Sequence, residues 1–311
     1  MKAVRIHQYG NSEVLKYEDA PMPEITSTDV LVRVVAASVN PVDWKIREGY
    51  LKEMIAYPMP LTLGWDVSGV IEAVGADVTR FKVGDAVFSR PDIKRNGTYA
   101  EYVAIRADEV ALKPKTISHV EAASLPLAGI TAWEVLITAG KLKAKQRVLI
   151  HAGSGGVGSL AIQLAKSRGA YVIATTSGRN SDFVKSLGAD EVIDYKTQKF
   201  QAVVKDVDLV FDTLGGEVQE ASWSVLKPGG ILVSIVSPPP EERAKSLGMR
   251  SAFVFIEPSA AILAELAALV DAGSVRPIVG AEFALADIAK AHTFSQTGRT
   301  VGKIVLYVGK P

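Results

Sequence analysis

Residues 148–158 read Val148-Leu149-Ile150-His151-Ala152-Gly153-Ser154-Gly155-Gly156-Val157-Gly158, and the fold is decided by what surrounds them. A strand-forming apolar run enters a glycine-rich turn, and Leu160, Ala161, Leu164 and Ala165 then mark one face of a helix. In that setting the GxGxxG spacing has a physical meaning. Gly153 permits the tight turn, Gly155 and Gly156 let backbone N–H groups approach a pyrophosphate, and Gly158 lets the helix pack closely on the strand. The helix N-terminus favours the anion. Alone, the motif would be a flexible loop; with a strand before it, a helix after it and further strands beyond, it reads as a dinucleotide site.

Outward from the motif, strand-like apolar runs alternate with helix-like segments, as in a parallel sheet covered on both faces. Six strands are predicted, over 148–151, 171–175, 191–194, 208–212, 231–236 and 252–256. The expected fold class is therefore α/β, with a doubly wound, six-stranded parallel Rossmann sheet. Before about residue 120 the character is different. Short β-prone runs at 30–35, 67–74, 85–88 and 98–105 are separated by turn residues, which predicts a smaller, mostly β domain. Pro238-Pro239-Pro240 makes a stiff loop, the segment 259–271 reads as a helix along the domain boundary, and 301–307 is β-prone again. The tail is expected to return to the first domain. The resulting division is 1–120 with 268–311 for the substrate domain, and 121–267 for the dinucleotide domain.

Composition narrows the partners. The 35 Lys and Arg nearly cancel the 34 Asp and Glu, so no electrostatic footprint for nucleic acid or an anionic membrane is present. The chain has no cysteine, which excludes disulfides, thiolate nucleophiles and Cys-ligated metals. Polar residues in Met1–His7 stand where a signal peptide needs an apolar run, and no apolar stretch is long enough to span a bilayer. A soluble, cytoplasmic protein acting on a small molecule is the expectation.

The choice of dinucleotide is made roughly 20 residues past the motif, where an acid would accept from a ribose 2′-hydroxyl. No acid ends the second predicted strand. Thr176-Ser177-Gly178-Arg179-Asn180 offers hydroxyls, an amide and a guanidinium suited to a 2′-phosphate, so NADPH is expected. Asp182 falls where the next helix should begin and suits that helix's dipole.

Several ordered segments resemble the medium-chain dehydrogenase/reductase superfamily, in its zinc-independent quinone oxidoreductase and enone (alkenal) reductase branch. They are Asn40-Pro41-Val42-Asp43-Trp44-Lys45, Gly64-Trp65-Asp66-Val67-Ser68-Gly69, Phe81-Lys82-Val83-Gly84-Asp85, Gly97-Thr98-Tyr99-Ala100-Glu101-Tyr102, Leu125-Pro126-Leu127-Ala128-Gly129-Ile130-Thr131-Ala132, Leu226-Lys227-Pro228-Gly229-Gly230 and Gly302-Lys303-Ile304-Val305. The resemblance covers essentially the whole chain. It implies a GroES-like substrate domain, with cofactor and substrate between it and the Rossmann domain. Zinc-bearing members place Cys, His and acidic ligands in the segments matching 40–47 and 64–66, where this chain has Asn40 and Trp65; no metal is expected.

The resemblance also implies site residues. Gly156 and Val157 should meet the pyrophosphate, and Ser177, Gly178, Arg179 and Asn180 the 2′-phosphate. Tyr195 matches a tyrosine that packs at the adenosine phosphate. Leu214, Phe253, Phe255, Arg299 and Thr300 match segments lining the nicotinamide end, and Thr131 is counted with the cofactor-binding residues.

Hydride from a reduced nicotinamide can pass directly to an enone, an enal or a quinone, leaving charge on the carbonyl oxygen. Lys45 is expected to stabilise that oxyanion, and the resemblance implies that it meets the cofactor as well. Asn40 and Asp43 are the alternative catalytic residues, although Asn-Pro is also an ordinary turn pair and Asp43 suits a cap. Tyr50 and Tyr57 carry no assignment, and His151 reads as a satisfied strand-end histidine. Reduction of an enoyl thioester is a neighbouring activity, without an obvious basic cluster for its carrier arm. An NADPH-binding sensor or partner-binding protein is the alternative of another class. The apolar run 231–236 suggests a homodimer through an intersubunit sheet.

Overall fold

The computed structural model describes residues 1–309. The chain forms two units, one of residues 1–127, 257–272 and 277–311, the other of 128–256 and 273–276.

The second unit is built on six parallel strands, Arg147–Ile150, Tyr171–Thr176, Glu191–Asp194, Val207–Asp212, Leu226–Ser234 and Arg250–Phe253. Numbered along the chain, their order across the sheet is third, second, first, fourth, fifth, sixth. This is the doubly wound order, with its reversal between the first and fourth strands. Val148, Leu149 and Ile150 are fully buried, as expected of a central strand covered on both faces. Leu149, Ile173, Val210 and Leu232 join Trp223 and Val225 in one core cluster.

The sixth strand departs from its expected place at 252–256. It starts at Arg250, and its residues are exposed or half-buried because it is the edge of the sheet. The fifth strand is bonded on both sides, so 231–236 offers no free edge to a second subunit. A continuation of this sheet between subunits would use one of its edge strands, Glu191–Asp194 or Arg250–Phe253.

In the first unit the eleven-residue strand Asp29–Val39 is the organiser. One edge pairs with Val67–Val74; along the other, residues 29–33 pair with Tyr102–Arg106 and residues 36–39 with Lys303–Tyr307. Ala86–Ser89, Val110–Leu112 and Val279–Ala284 complete this sheet, and Lys16–Asp19, Lys2–Ile6 and Leu61–Thr62 form a second one. The C-terminal strand thus returns to the N-terminal unit.

The helix Ala260–Asp271 was expected partly inside a dinucleotide domain ending at 267, but it belongs to the first unit. It packs on Val110–Leu112, and its last residue, Asp271, accepts from the N–H and hydroxyl of Thr116 at 3.0 and 2.9 Å. The chain re-enters the second unit at 273–276, where Gln163 and the Arg276 backbone exchange two hydrogen bonds of 3.0 and 2.9 Å. Among the described residues no helix is long and apolar enough to cross a membrane.

Candidate active site

In the second unit the glycine turn is held from both sides. Gly153 N–H donates to Thr175 O at 2.8 Å and Gly155 N–H to Ala152 O at 2.9 Å, and Ala152 takes a φ of 50°. The helix Gly156–Ser167 begins with Gly155 as its N-cap and has no side-chain cap. Ser159 N–H is the first to be satisfied, by Gly155 O, so the N–H groups of Gly156, Val157 and Gly158 point out of the helix end unpaired. A Cβ on Gly158 would lie 2.3 Å from Ala152 O, and one on Gly153 3.0 Å from the Ala174 Cβ. Only glycine fits at Gly158. Free donors, a helix N-terminus and the absence of side-chain bulk are the features that an anion-binding turn requires.

Ser154 ties this turn to the end of the second strand. Its Oγ accepts from Thr176 Oγ1 at 3.0 Å and from Asn180 Nδ2 at 3.1 Å. Ser177 caps the short turn Gly178–Asn180, on which Arg179 is exposed with no partner among the described residues. Tyr195 N–H donates to Thr176 O at 3.1 Å, leaving the ring 61% exposed beside that turn. One acid does stand here. Parallel pairing sets Thr176 beside Asp194, and a Cβ on Gly178 would lie 2.5 Å from Asp194 Oδ2.

At the ends of the first and fourth strands the polar groups are satisfied internally. Asp212 accepts from Leu214 and Gly215 N–H at 2.9 and 2.8 Å, from Gln219 at 3.0 Å and from Ser234 at 2.7 Å, which shapes the loop that exposes Leu214. Ser222 donates its own proton to Val218 O, so His151 Nε2 donates to Ser222 Oγ at 3.0 Å, and Nδ1 accepts from Thr175 at 3.1 Å. Burial holds this imidazole down to about 4 and neutral. It is the satisfied strand-end histidine. Phe253 and Phe255 are exposed rather than core residues, while Thr131 is buried in the helix Pro126–Trp133.

In the first unit the helix Pro41–Arg47 carries all three candidate catalytic residues, but the structure separates them. Asn40, its N-cap, and Asp43 are 2% and 0% exposed. Asp43 Oδ2 accepts from Asn40 N–H at 2.7 Å and from Tyr99 OH at 2.6 Å, and burial pushes its carboxyl up to about 7. The Tyr99 hydroxyl in turn faces His292 Nε2 at 3.4 Å, and His292 Nδ1 accepts from Arg47 at 3.1 Å. Asn40 donates to Asp66 Oδ2 at 2.8 Å and accepts from Lys303. Both side chains are committed to holding the helix in place. Lys45 is different: it is half-buried in the last turn, its ammonium 5.8 Å from the Trp44 ring centroid, with no ion pair or hydrogen bond among the described residues. Thr300 Oγ1 is buried without a partner among the described residues, and Arg299 is exposed.

With this geometry in hand, the chain can be set beside known proteins. The family profile described as "Alcohol dehydrogenase GroES-like domain" matches residues 26–115, and the one described as "Zinc-binding dehydrogenase" matches 187–306. The 2-methylene-furan-3-one reductase of Solanum lycopersicum is 38% identical, over 99% of this chain and 79% of that protein. The chain belongs to the medium-chain dehydrogenase/reductase superfamily, in its quinone oxidoreductase and enone reductase branch. The NADPH-dependent alkenal/one oxidoreductase of Arabidopsis thaliana is 37% identical, covering 99% and 79% of the two chains. A structure described as the quinone oxidoreductase of Coxiella burnetii superposes with a TM-score of 0.93 at 37% identity, over 99% of each chain.

The zinc in the name of one superfamily profile finds no home here. There is no cysteine in the chain, and the described residues hold no group of three or more His, Cys, Asp or Glu able to bind a metal. The Lys303 ammonium lies among the oxygens of Val39 at 3.0 Å, Asp66 at 3.2 Å and Asn40. A buried cation already fills the acidic segment in which a superfamily metal would need its ligands, so the residues do not fit zinc.

Sequence reading missed Ser154, Asp194 and the Lys303 cluster. Ser154 sits inside the motif, where the glycines carry the signal. Asp194 and Lys303 become neighbours of the site only through strand pairing.

Proposed function

We propose that this protein is an NADPH-dependent reductase of activated acceptors, the C=C bond of an enone or enal first and a quinone second. The observation that carries this reading is the Lys303 ammonium seated on Asn40 and Asp66. With an ammonium seated where a metal would need its ligands, this reading favours an acceptor that arrives already electron-poor. Bound NADPH supplies a hydride.

The pyrophosphate is held by the N–H groups of Gly156, Val157 and Gly158, in the space that Gly153 and Gly155 leave open. Ser177, Gly178, Arg179 and Asn180 take the 2′-phosphate, with Tyr195 beside the adenosine. Thr131, Leu214, Phe253, Phe255, Arg299 and Thr300 are assigned to the nicotinamide end, where Thr300 Oγ1 brings an unsatisfied hydroxyl. Lys45 donates to the carbonyl oxygen as hydride reaches the β-carbon, and the resulting enolate takes its proton from solvent at the α-carbon. Asn40 and Asp43 position the Lys45 helix. The names of the tomato, Arabidopsis and Coxiella relatives support both acceptor classes. A homodimer belongs to the same proposal.

The test is a panel of enones, enals, quinones, saturated ketones and alcohols, scored for NADPH consumption and for the bond reduced in the product. Loss of the C=C bond with the carbonyl intact is the expected result. Turnover confined to alcohols and saturated ketones would overturn the reading.

A further inference from the structure

Arg90 is 2% exposed, yet its guanidinium makes no hydrogen bond or ion pair with any described residue, and its Nε and Nη1 are buried without an acceptor. Arginine stays charged in proteins and carries five N–H donors and no acceptor. A buried guanidinium with empty donors is therefore an incomplete site.

A second orphan donor is nearby. Arg90 follows the last paired residue, Ser89, and its charge reaches the Tyr57 hydroxyl, whose ring packs on Trp65. Trp65 is fully buried, and its indole Nε1 also lacks a partner. The Trp65 ring packs 6.3 Å from that of Tyr57, whose hydroxyl is spent on Ile93 O at 2.9 Å. The carboxylates whose charge reaches Arg90 do not complete it: Asp66 is held by Ser38, Asn40 and Lys303, Asp92 and Glu109 by Arg106, and Glu257 is exposed. What remains is a cation and an indole N–H, donors only, beside the Asp66–Asn40 network from which the Lys45 helix starts.

We propose that Arg90, with the Trp65 indole N–H, is the receptor for a carboxylate on the substrate, so that the preferred acceptors are enones bearing an acid group. A site made only of donors selects a ligand made only of acceptors, and a carboxylate matches the planar guanidinium in charge and geometry. This rests on the reductase reading above, which it narrows to a substrate class.

The experiment titrates the cofactor-free protein calorimetrically with levulinate, a keto acid with no C=C bond to reduce, and with its uncharged methyl ester. The acid should bind about tenfold to a hundredfold more tightly than the ester. Arg90→Met should abolish that difference and Arg90→Lys retain part of it. Without ligand, Arg90→Met should melt a few degrees above the unmodified protein, because an unsatisfied buried charge has been replaced by an apolar side chain. Equal binding of acid and ester overturns the receptor. So does discrimination that survives Arg90→Met, a ligand-free Arg90→Met that melts lower, or acid binding that emerges only in Glu257→Gln, which would make Glu257 the natural partner. Levulinate binding by a protein that reduces no enone would instead overturn the reductase reading and leave the receptor standing.

Discussion

Tyr99 and Asp43 share a hydrogen bond of 2.6 Å between two fully buried side chains. The carboxyl, raised to about 7 from 3.8, binds a proton in the folded state that the unfolded chain has released. Its contribution to stability is present below about pH 4 and is lost as pH rises through about 7.

Three imidazoles, two buried and one half-buried, act in the opposite sense. Burial lowers His292 to about 3, and His151 and His119 to about 4, from 6.5. Their contribution is present above about pH 6.5 and is lost as pH falls toward 4. Three groups outweigh one, so urea unfolding should show lower stability at pH 4.5 than at pH 7. Asp43→Asn removes the opposing group and should deepen that loss, by on the order of 1 to 3 kcal/mol. An unchanged difference between the two pH values would contradict the assignment.

The glycine turn gives a graded prediction. Gly158→Ala sets a methyl against backbone at 2.3 Å, whereas Gly153→Ala meets the Ala174 methyl at 3.0 Å. Gly158→Ala should cost about 1 to 3 kcal/mol in stability and most of the NADPH affinity, and Gly153→Ala distinctly less. Fluorescence titration with NADPH and a thermal melt rank the two; the reverse order would refute the close-approach argument.

Arg179 and Asp194 should pull cofactor preference in opposite directions. Arg179→Ala should weaken NADPH more than NADH, by about 1.5 to 3 kcal/mol if the contact is desolvated. Asp194→Asn removes a like charge beside the proposed 2′-phosphate and should favour NADPH by about 0.5 to 1 kcal/mol. The ratio of the two dissociation constants is the measurement, and equal affinities in the unmodified protein would defeat it.

Lys45→Ala should lower kcat about 100- to 1,000-fold with little change in KM or in NADPH binding, the pattern of a donor used only as charge develops. Lys45→Arg should recover part of the rate. Activity lost only through weaker NADPH binding would make Lys45 a cofactor contact instead.

Elemental analysis should find no stoichiometric zinc, and chelators should leave activity intact. Lys303→Met leaves Asp66 buried and unpaired and should cost about 3 to 5 kcal/mol, much of it restored in the double variant with Asp66→Asn. A single variant as stable as the parent would remove the argument that Lys303 fills the cation position.

What the sequence disclosed depended on where the determining contacts lie. The strands around Leu149, Ile173 and Val210 are covered on both faces, so they read directly as apolar runs. The edge strand Arg250–Phe253 lacks that signature and was placed late. Ala260–Asp271 was recognisable as a helix, but the unit it joins is set by its packing on Val110–Leu112. The glycine turn is local, so its backbone follows from the motif itself, whereas the bonds of Ser154 to Thr176 and Asn180 do not. Asn40 and Asp43 looked like candidates for chemistry because a sequence shows residue types and not their partners. For the same reason Arg90 passed unnoticed, since its significance lies in the partners it lacks.

The strand Lys303–Tyr307 pairs with Asp29–Val39, and its Lys303 reaches Asn40 across 263 positions of sequence. During synthesis this inverts the order of completion. The second unit has all of its residues once position 276 has left the ribosome, whereas the first, begun earliest, waits for the strand that neutralises Asp66. Until then the nascent chain carries an open sheet edge along residues 36–39 and an acid lacking its counter-charge, so the unit begun first is the last to close.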